Sequence, residues 1–226
     1  MLCYHIKGDY MSYKYIAWDW NGTLIDDVQI GVDCMNIILE HHNYPQRLDV
    51  KRYREIFCFP VEEYYKSTGL DLEKHSFNEL ADLYIKSNDE LIKNAKLVEN
   101  AKKVLDELKK EGYSQLIISA TEQGRLINQV QQYGIESYFD KVLGKSDYLA
   151  TTKIDIAKNW LNDYNINPRD VLFVGDTLHD YEVAKSLDFD CVLISGGHQS
   201  EAILSKSGAE IFDDIKEIID YLQKEK

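Results

Sequence analysis

The chain has 226 residues, 44% of them hydrophobic, and a net charge of −13 from 39 acidic and 26 basic side chains. That length can bury one good core and carry a second small unit. The acidic balance argues against a nucleic-acid partner, whose phosphate backbone calls for clustered Lys and Arg, and against an anionic membrane surface. Nothing approaches the roughly 18 apolar residues of a membrane span, and the N-terminus has no apolar stretch of signal-peptide length. The cysteines, Cys3, Cys34, Cys58 and Cys191, are scattered and include no Cys-x-x-Cys pair. Reduced thiols in a cytoplasmic protein are therefore expected.

Residues 1–11 are polar and lack periodicity, which reads as a peripheral leader, and Met11 is a candidate natural start. From Tyr13 to Asp19 an apolar, aromatic run rich in strand formers ends abruptly in a carboxylate, followed by a turn through Asn21-Gly22 and the acidic pair Asp26-Asp27. By itself Asp19 would be read as a turn cap.

Residues 28–96 change character and predict helices with no convincing strand. Ile30, Cys34, Ile37, Ile38 and His41 share one face at helical spacing. His41-His42 has no metal-ligand spacing and reads as a helix end. Pro45 breaks the pattern, Leu48-Asp49-Val50 to Ile56 starts another helix, and Pro60 suits the first turn of a short helix through Tyr65, ended by Gly69. Phe77, Leu80, Leu83, Tyr84, Leu91 and Ile92 then form an amphipathic stripe.

After this insertion, helix and strand alternate. Ala101 to Lys110 is a helix stopped by Gly112, Gln115 to Ser119 a strand, Glu122 to Tyr133 a helix, and Phe139 to Leu143 a short strand. Lys153 opens a helix through Tyr164, and Val171-Leu172-Phe173-Val174 is a buried parallel strand running into Gly175-Asp176. A helix from Asp180 to Leu187, a strand from Cys191 to Ile194, a Gly196-Gly197 turn and a helix from Asp214 complete the order. The alternation predicts an α/β core: a Rossmann-like, mostly parallel sheet built from residues 12–27 and 97–226, with an inserted α-helical cap over 28–96.

In such a sheet ligands bind outside the carboxyl ends of the strands, where Asp19 and Asp176 would meet, with Asp180 just beyond. Three converging carboxylates repel one another unless a cation sits among them. A site of a few oxygen ligands suits Mg²⁺.

On these residues the chain resembles the haloacid dehalogenase superfamily. Asp19-Trp20-Asn21-Gly22-Thr23 is similar to its first motif, Ser119 to its second, Lys153 to its third, and Gly175-Asp176-Thr177-Leu178-His179-Asp180 to its acidic fourth. The four stand in the family's order and the resemblance spans about residues 12–225; the helical insertion resembles the cap of the phosphoglycolate phosphatase and phosphomutase branch. The resemblance implies a Mg²⁺-dependent phosphatase for a small phosphorylated metabolite. Asp19 would be the nucleophile that forms an aspartyl-phosphate, Ser119 and Lys153 would hold the phosphoryl group, and Asp19, Asp176, Asp180 and the backbone carbonyl of Asn21 would form the metal site.

Alternatives remain open at several positions. Ser119 or Thr121 could cap the following helix. Lys145 competes with Lys153, and Asp180 could meet the metal directly, through water, or hold another group. His179 and His198 read as loop or capping residues. One position departs from the family: the second Asp of the first motif, its general acid/base, is here Asn21, which cannot exchange a proton at neutral pH. That departure leaves two other functions in play, a phosphonate C–P hydrolase using a cap lysine (Lys51, Lys66, Lys74 or Lys86) and a phosphate-ligand binding protein without turnover.

Overall fold

The computed structural model describes residues 13–146 and 152–224. The N-terminal leader, Met11 and Cys3 lie outside the described residues. In chain order the elements begin with β1 (Tyr15–Trp18), β2 (Ile25–Asp26), α1 (Val28–His41), α2 (Val50–Ile56), α3 (Val61–Ser67), α4 (Phe77–Leu91) and β3 (Lys96–Leu97). There follow α5 (Ala101–Lys110), β4 (Ser114–Glu122), α6 (Gln123–Gln132), β5 (Lys141–Lys145), α7 (Lys153–Tyr164) and β6 (Val171–Gly175). The chain closes with α8 (Leu178–Ser186), β7 (Asp190–Ile194), α9 (Glu201–Leu204), β8 (Glu210–Phe212) and α10 (Glu217–Lys224).

Six strands form one sheet in the order β5-β4-β1-β6-β7-β8, and every pairing in it is parallel. Side chains alternate between its two faces, as the two-residue period of a strand requires. Ile16, Trp18, Ile117, Leu172 and Val174 join one buried cluster with α5, α6 and α10. Ala17, Leu116, Ile118, Val171 and Phe173 join the other, with α7 and α8. Burial on both faces explains why these strands read as continuous apolar runs. Trp18 and Trp20, fully buried, satisfy their indole N–H groups on Gln115 Oε1 (3.2 Å) and Gln129 Oε1 (2.7 Å).

Between β2 and β3 the chain is helical, and α1 to α4 enclose a third apolar cluster of their own, including Met35, Leu39, Tyr64, Tyr65 and Leu80. The two crossings into this segment pair as a short antiparallel ribbon, Ile25 opposite Leu97 and Asp26 opposite Lys96. The face expected for α1 needs correction. Val28, Val32, Met35 and Leu39 are buried beside Cys34 and Ile38, whereas Ile37 is 40% exposed. Both sets fit a 3.6-residue period; docking of α4 and α2 on one side decides between them. Three elements escaped the pattern reading: the β2–β3 ribbon, α9, and the edge strand β8, whose three residues are too few to show a period. No described helix is long and apolar enough to cross a membrane.

Candidate active site

β1 and β6 are neighbours in register, Trp18 opposite Val174, so Asp19 and Asp176 emerge together at the carboxyl edge. Asp19 N–H still donates to Val174 O at 2.8 Å, holding the turn against the sheet. Asp180 arrives from the first turn of α8, where Thr177 and Asp180 form a reciprocal capping box. Oxygens of Asp19, Asp176 and Asp180 lie within 4.8 Å of one another, and all three residues are buried.

A single ammonium group is set among them. Lys153, 7% exposed at the start of α7, donates from Nζ to Asp19 Oδ1 at 2.6 Å and to Asp180 Oδ1 at 2.7 Å. The second Asp180 oxygen accepts from Thr177 Oγ1 at 2.6 Å and Thr177 N at 3.1 Å. Both Asp180 oxygens are thus engaged within the protein, in aiming Lys153 and capping α8. Lys145, the alternative lysine, lies on β5 along the same cavity wall but does not join this ion pair.

The charges are unevenly compensated. Burial raises the Asp19 carboxyl to about 8, aided by Asp180 and Asp176 and opposed by Lys153. Burial likewise raises Asp176, to about 6. Burial pushes Asp180 the same way, but Lys153 outweighs it and holds that carboxyl below its usual range. Burial opposes the Lys153 charge too, and the two carboxylates overcome it to keep its pKa well above the ordinary value. A surplus of buried negative charge remains on Asp19 and Asp176. Their hard oxygen donors suit a divalent cation.

The backbone closes tightly around Asp176. A Cβ on Gly197 would meet Asp176 Oδ2 at 2.3 Å, and one on Gly22 would meet the same atom at the same distance. Gly22 also has φ of +73°, where a side chain would be strained. The Gly196-Gly197 turn read from sequence is therefore also the wall that seats this carboxylate. Gly197→Ala should displace Asp176 and weaken divalent-cation binding by about 10- to 100-fold, as loss of a supporting group around a metal site typically does; calorimetric titration of the variant against the unsubstituted protein with a divalent cation checks this.

Asn21 has a firm amide orientation. Its Nδ2 donates to Asp27 Oδ2 at 2.7 Å, and its Oδ1 accepts from Thr121 Oγ1 at 2.9 Å. Asp27 Oδ1 accepts from Gly22 N at 2.9 Å and pairs with His198 Nε2 at 3.2 Å. His198 Nδ1 meets the Tyr53 hydroxyl at 2.8 Å, and its backbone N–H donates to Asp176 Oδ2 at 2.6 Å. Burial would lower the His198 pKa, but Asp27 and Asp176 raise it to about 9. His198 is thus more than the loop residue expected. Asp27 likewise makes no cap bond to α1 and faces inward.

Ser119 is buried at 1% exposure, donates to Thr121 Oγ1 at 3.1 Å and accepts from Thr121 N. Neither residue caps α6. Glu122 does so, accepting from Gly124 N and Arg125 N. His179 is partly buried and stacks near Phe59, with centroids 4.5 Å apart. His41 and His42 do end α1.

The helical segment closes over this edge. Besides the Tyr53–His198 bond, Arg54 donates to Gly197 O at 2.8 Å and to Gly196 O, Gln199 Nε2 donates to Phe57 O at 2.9 Å, and Arg125 pairs with Asp89 at 2.9 Å. The cleft beneath them, of about 530 Å³, reaches Asp19, Asn21, Ser119, Lys153 and Asp176 on one side and the aromatic residues of α2 to α4 on the other. None of these latching residues carried a local sequence signal, since each partner lies far along the chain.

A parallel sheet that gathers three buried aspartates and one lysine under a helical cover defines a class of buried acidic centres. Residues 16–194 match the haloacid dehalogenase-like hydrolases, and the chain belongs to that family. It is similar to the phosphoglycolate phosphatase of Psychrobacter arcticus, 26% identical over 95% of this chain and 97% of that protein. It is also similar to the phosphoglycolate phosphatase of Vibrio vulnificus, 25% identical over 92% of this chain and 95% of the relative. A solved haloacid dehalogenase-like hydrolase from Streptococcus pneumoniae has the same fold, with TM-score 0.80, 23% identity, and coverage of 93% of this chain and 98% of that one.

Proposed function

We propose that the protein is a Mg²⁺-dependent phosphatase that hydrolyses a small phosphorylated metabolite through an aspartyl-phosphate on Asp19. The observation that carries this reading is Lys153 bridging Asp19 and Asp180 beside the undercompensated Asp176. Asp19, Asp176 and the Asn21 backbone carbonyl would hold the metal, with Asp180 alongside. Once bound, Mg²⁺ would polarise the phosphoryl oxygens and offset the carboxylate charge.

The chain's own groups do the remainder. An Asp19 oxygen bonds to phosphorus while the bond from phosphorus to the organic oxygen breaks. Ser119 and Lys153 hold the phosphoryl oxygens, so little geometry is left to find. Asn21 has no proton to give, so the departing oxygen takes one from water. Water then attacks phosphorus, the bond to Asp19 breaks, and inorganic phosphate and a free carboxylate result, with the proton passing to solvent. Residues 28–96 act as a cap whose closure excludes bulk water and strengthens these electrostatics. Free thiols at Cys34, Cys58 and Cys191 suit a reducing cytoplasm.

A panel of phosphomonoesters, assayed for phosphate release with Mg²⁺ and with a chelator, tests the reading. Metal-dependent release from at least one supports it, and none from any would leave a phosphate-ligand binding protein. The locked Asn21 amide is the observation on that side. Phosphonate cleavage through a cap lysine has less support, because Lys51, Lys66, Lys74 and Lys86 are all exposed and none lines the cavity.

Mg²⁺ should also stabilise the fold, by about 2.7 kcal/mol at 100 times its dissociation constant, and more so at higher pH. In the metal-free protein the Asp19 and Asp176 pKa values lie above the unfolded value near 3.8, at about 8 and about 6. Folding therefore takes up protons, and metal-free stability falls as pH rises through that window. Mg²⁺ binding releases those protons, so the thermal shift it causes should grow between pH 5.5 and 8, roughly the span of these values. A pH-independent shift in scanning calorimetry would contradict the assignment of these carboxylates to the metal.

A further inference from the structure

The cavity beside the nucleophile has two unlike ends. One holds Asp19, Ser119 and Lys153; the other is walled by Phe57, Phe59, Tyr65, Phe77, Tyr84 and Ile85 from the helical segment. Several of these rings pack on one another, Phe57 against Phe59 with centroids 5.5 Å apart and Tyr65 against Phe77 at 5.5 Å. No Lys or Arg from residues 28–96 lines the cavity.

Two of the three Lys and Arg side chains that do line it are already matched. Lys153 is held between Asp19 and Asp180, and Arg125 pairs with Asp89 at 2.9 Å. Lys145 makes no ion pair among the described residues; its neighbour in strand register is Glu122, whose carboxylate caps α6. Asp89 and Glu122, both on the cavity wall, would repel a second anionic group on a ligand. A volume of about 530 Å³ is that of a site for a ring-bearing molecule, since pockets for drug-sized ligands run from about 300 to 1,000 Å³. A two-carbon carboxylate would leave most of this space unfilled.

We propose that the substrate's organic group is aromatic, not a short carboxylate such as the glycolate in the names of the relatives. The inference rests on the phosphatase reading for the phosphoryl end and on the cavity wall for the organic end. Stacking on the aromatic wall supplies the affinity, and Asp89 supplies the discrimination, because it cancels the guanidinium that would otherwise receive a carboxylate. An aromatic group bonded directly through its ring oxygen would also leave without a general acid, which suits Asn21.

Hydrolysis-inert phosphonates separate binding from turnover. With Mg²⁺ present, isothermal calorimetry should find benzylphosphonate bound at least about tenfold tighter than phosphonoacetate, with inorganic phosphate as the reference for the phosphoryl end alone. Each tenfold corresponds to about 1.4 kcal/mol. Asp89→Asn should tighten phosphonoacetate by about tenfold and narrow the ratio, through the freed Arg125. Phosphonoacetate binding as tightly as benzylphosphonate, benzylphosphonate binding no better than inorganic phosphate, or an unchanged ratio in Asp89→Asn would each overturn the proposal. Preferred benzylphosphonate binding with no phosphate release from any ester would overturn the phosphatase reading alone.

Discussion

Asp19→Asn should abolish phosphate release while the fold remains intact. The amide matches the carboxylate in shape but offers no anionic oxygen to attack phosphorus, so the covalent route closes. Loss of a nucleophile that acts together with Ser119 and Lys153 is expected to cost more than about 10⁴-fold in kcat, since residues acting as a unit lose most of their joint effect when one is removed. Folding should not suffer in proportion. Burial raises the Asp19 pKa, so at neutral pH the metal-free fold must take up a proton there, a cost that the neutral amide avoids, and Lys153 still has Asp180, at 2.7 Å, as a partner. The metal-free melting temperature should therefore hold or rise, and the stabilisation by Mg²⁺ should shrink. A variant that still released phosphate with Mg²⁺ would place the nucleophile elsewhere.

Asn21→Asp is expected to act in the opposite direction. General acid/base assistance contributes about 10²- to 10⁴-fold, or roughly 3 to 5 kcal/mol of barrier. Without it, alkyl phosphates must expel an unprotonated alkoxide, whereas aryl phosphates lose a stable aryloxide. The substitution should thus raise turnover most for alkyl esters, and the wild-type enzyme should show a burst where the Asp19 phosphoryl group awaits water. The structure adds a condition. Asp27 Oδ2 lies 2.7 Å from the Asn21 amide nitrogen, so a carboxylate at position 21 would face another at hydrogen-bond distance. The two would have to share a proton, which favours the protonated acid needed for catalysis but costs stability. Asn21→Asp alone should therefore gain activity and lose melting temperature, and adding Asp27→Asn should recover stability by restoring a donor–acceptor pair. If alkyl-phosphate turnover does not change in either variant, the proton is supplied by a group other than residue 21.

The reach of local pattern can be judged residue by residue. Lys153–Tyr164 and Ala101–Lys110 have the limits read from their periodicity and caps, because these signals lie within a few residues of the helix ends. β1 and β6 were legible because a buried parallel strand needs apolar residues on both faces and then stops at a polar edge. Asp19, Lys153, Asp176 and Asp180 were visible for the same reason: each follows a strand or opens a helix, and sheet topology brings such ends together; Ser119, read as a strand end, lies inside β4. The chosen face of α1 was not legible, since two stripes compete along that helix and only its neighbours select one.

Local pattern was enough for the α/β core, the run of helices between its first two strands, and the carboxylates and lysine that strand ends and helix starts bring to one edge. It also exposed the amide at Asn21. What surrounds that amide came from long-range packing: Asp27 and Thr121 fixing its orientation, His198 joining Asp27 to Tyr53, and Arg54 and Gln199 fastening the helices over the cavity. Local chemistry governs where a strand ends and which side chain stands there. Contacts such as Tyr53 with His198, 145 residues apart, depend on how two separately packed units meet, and no periodicity or spacing within either unit encodes that meeting.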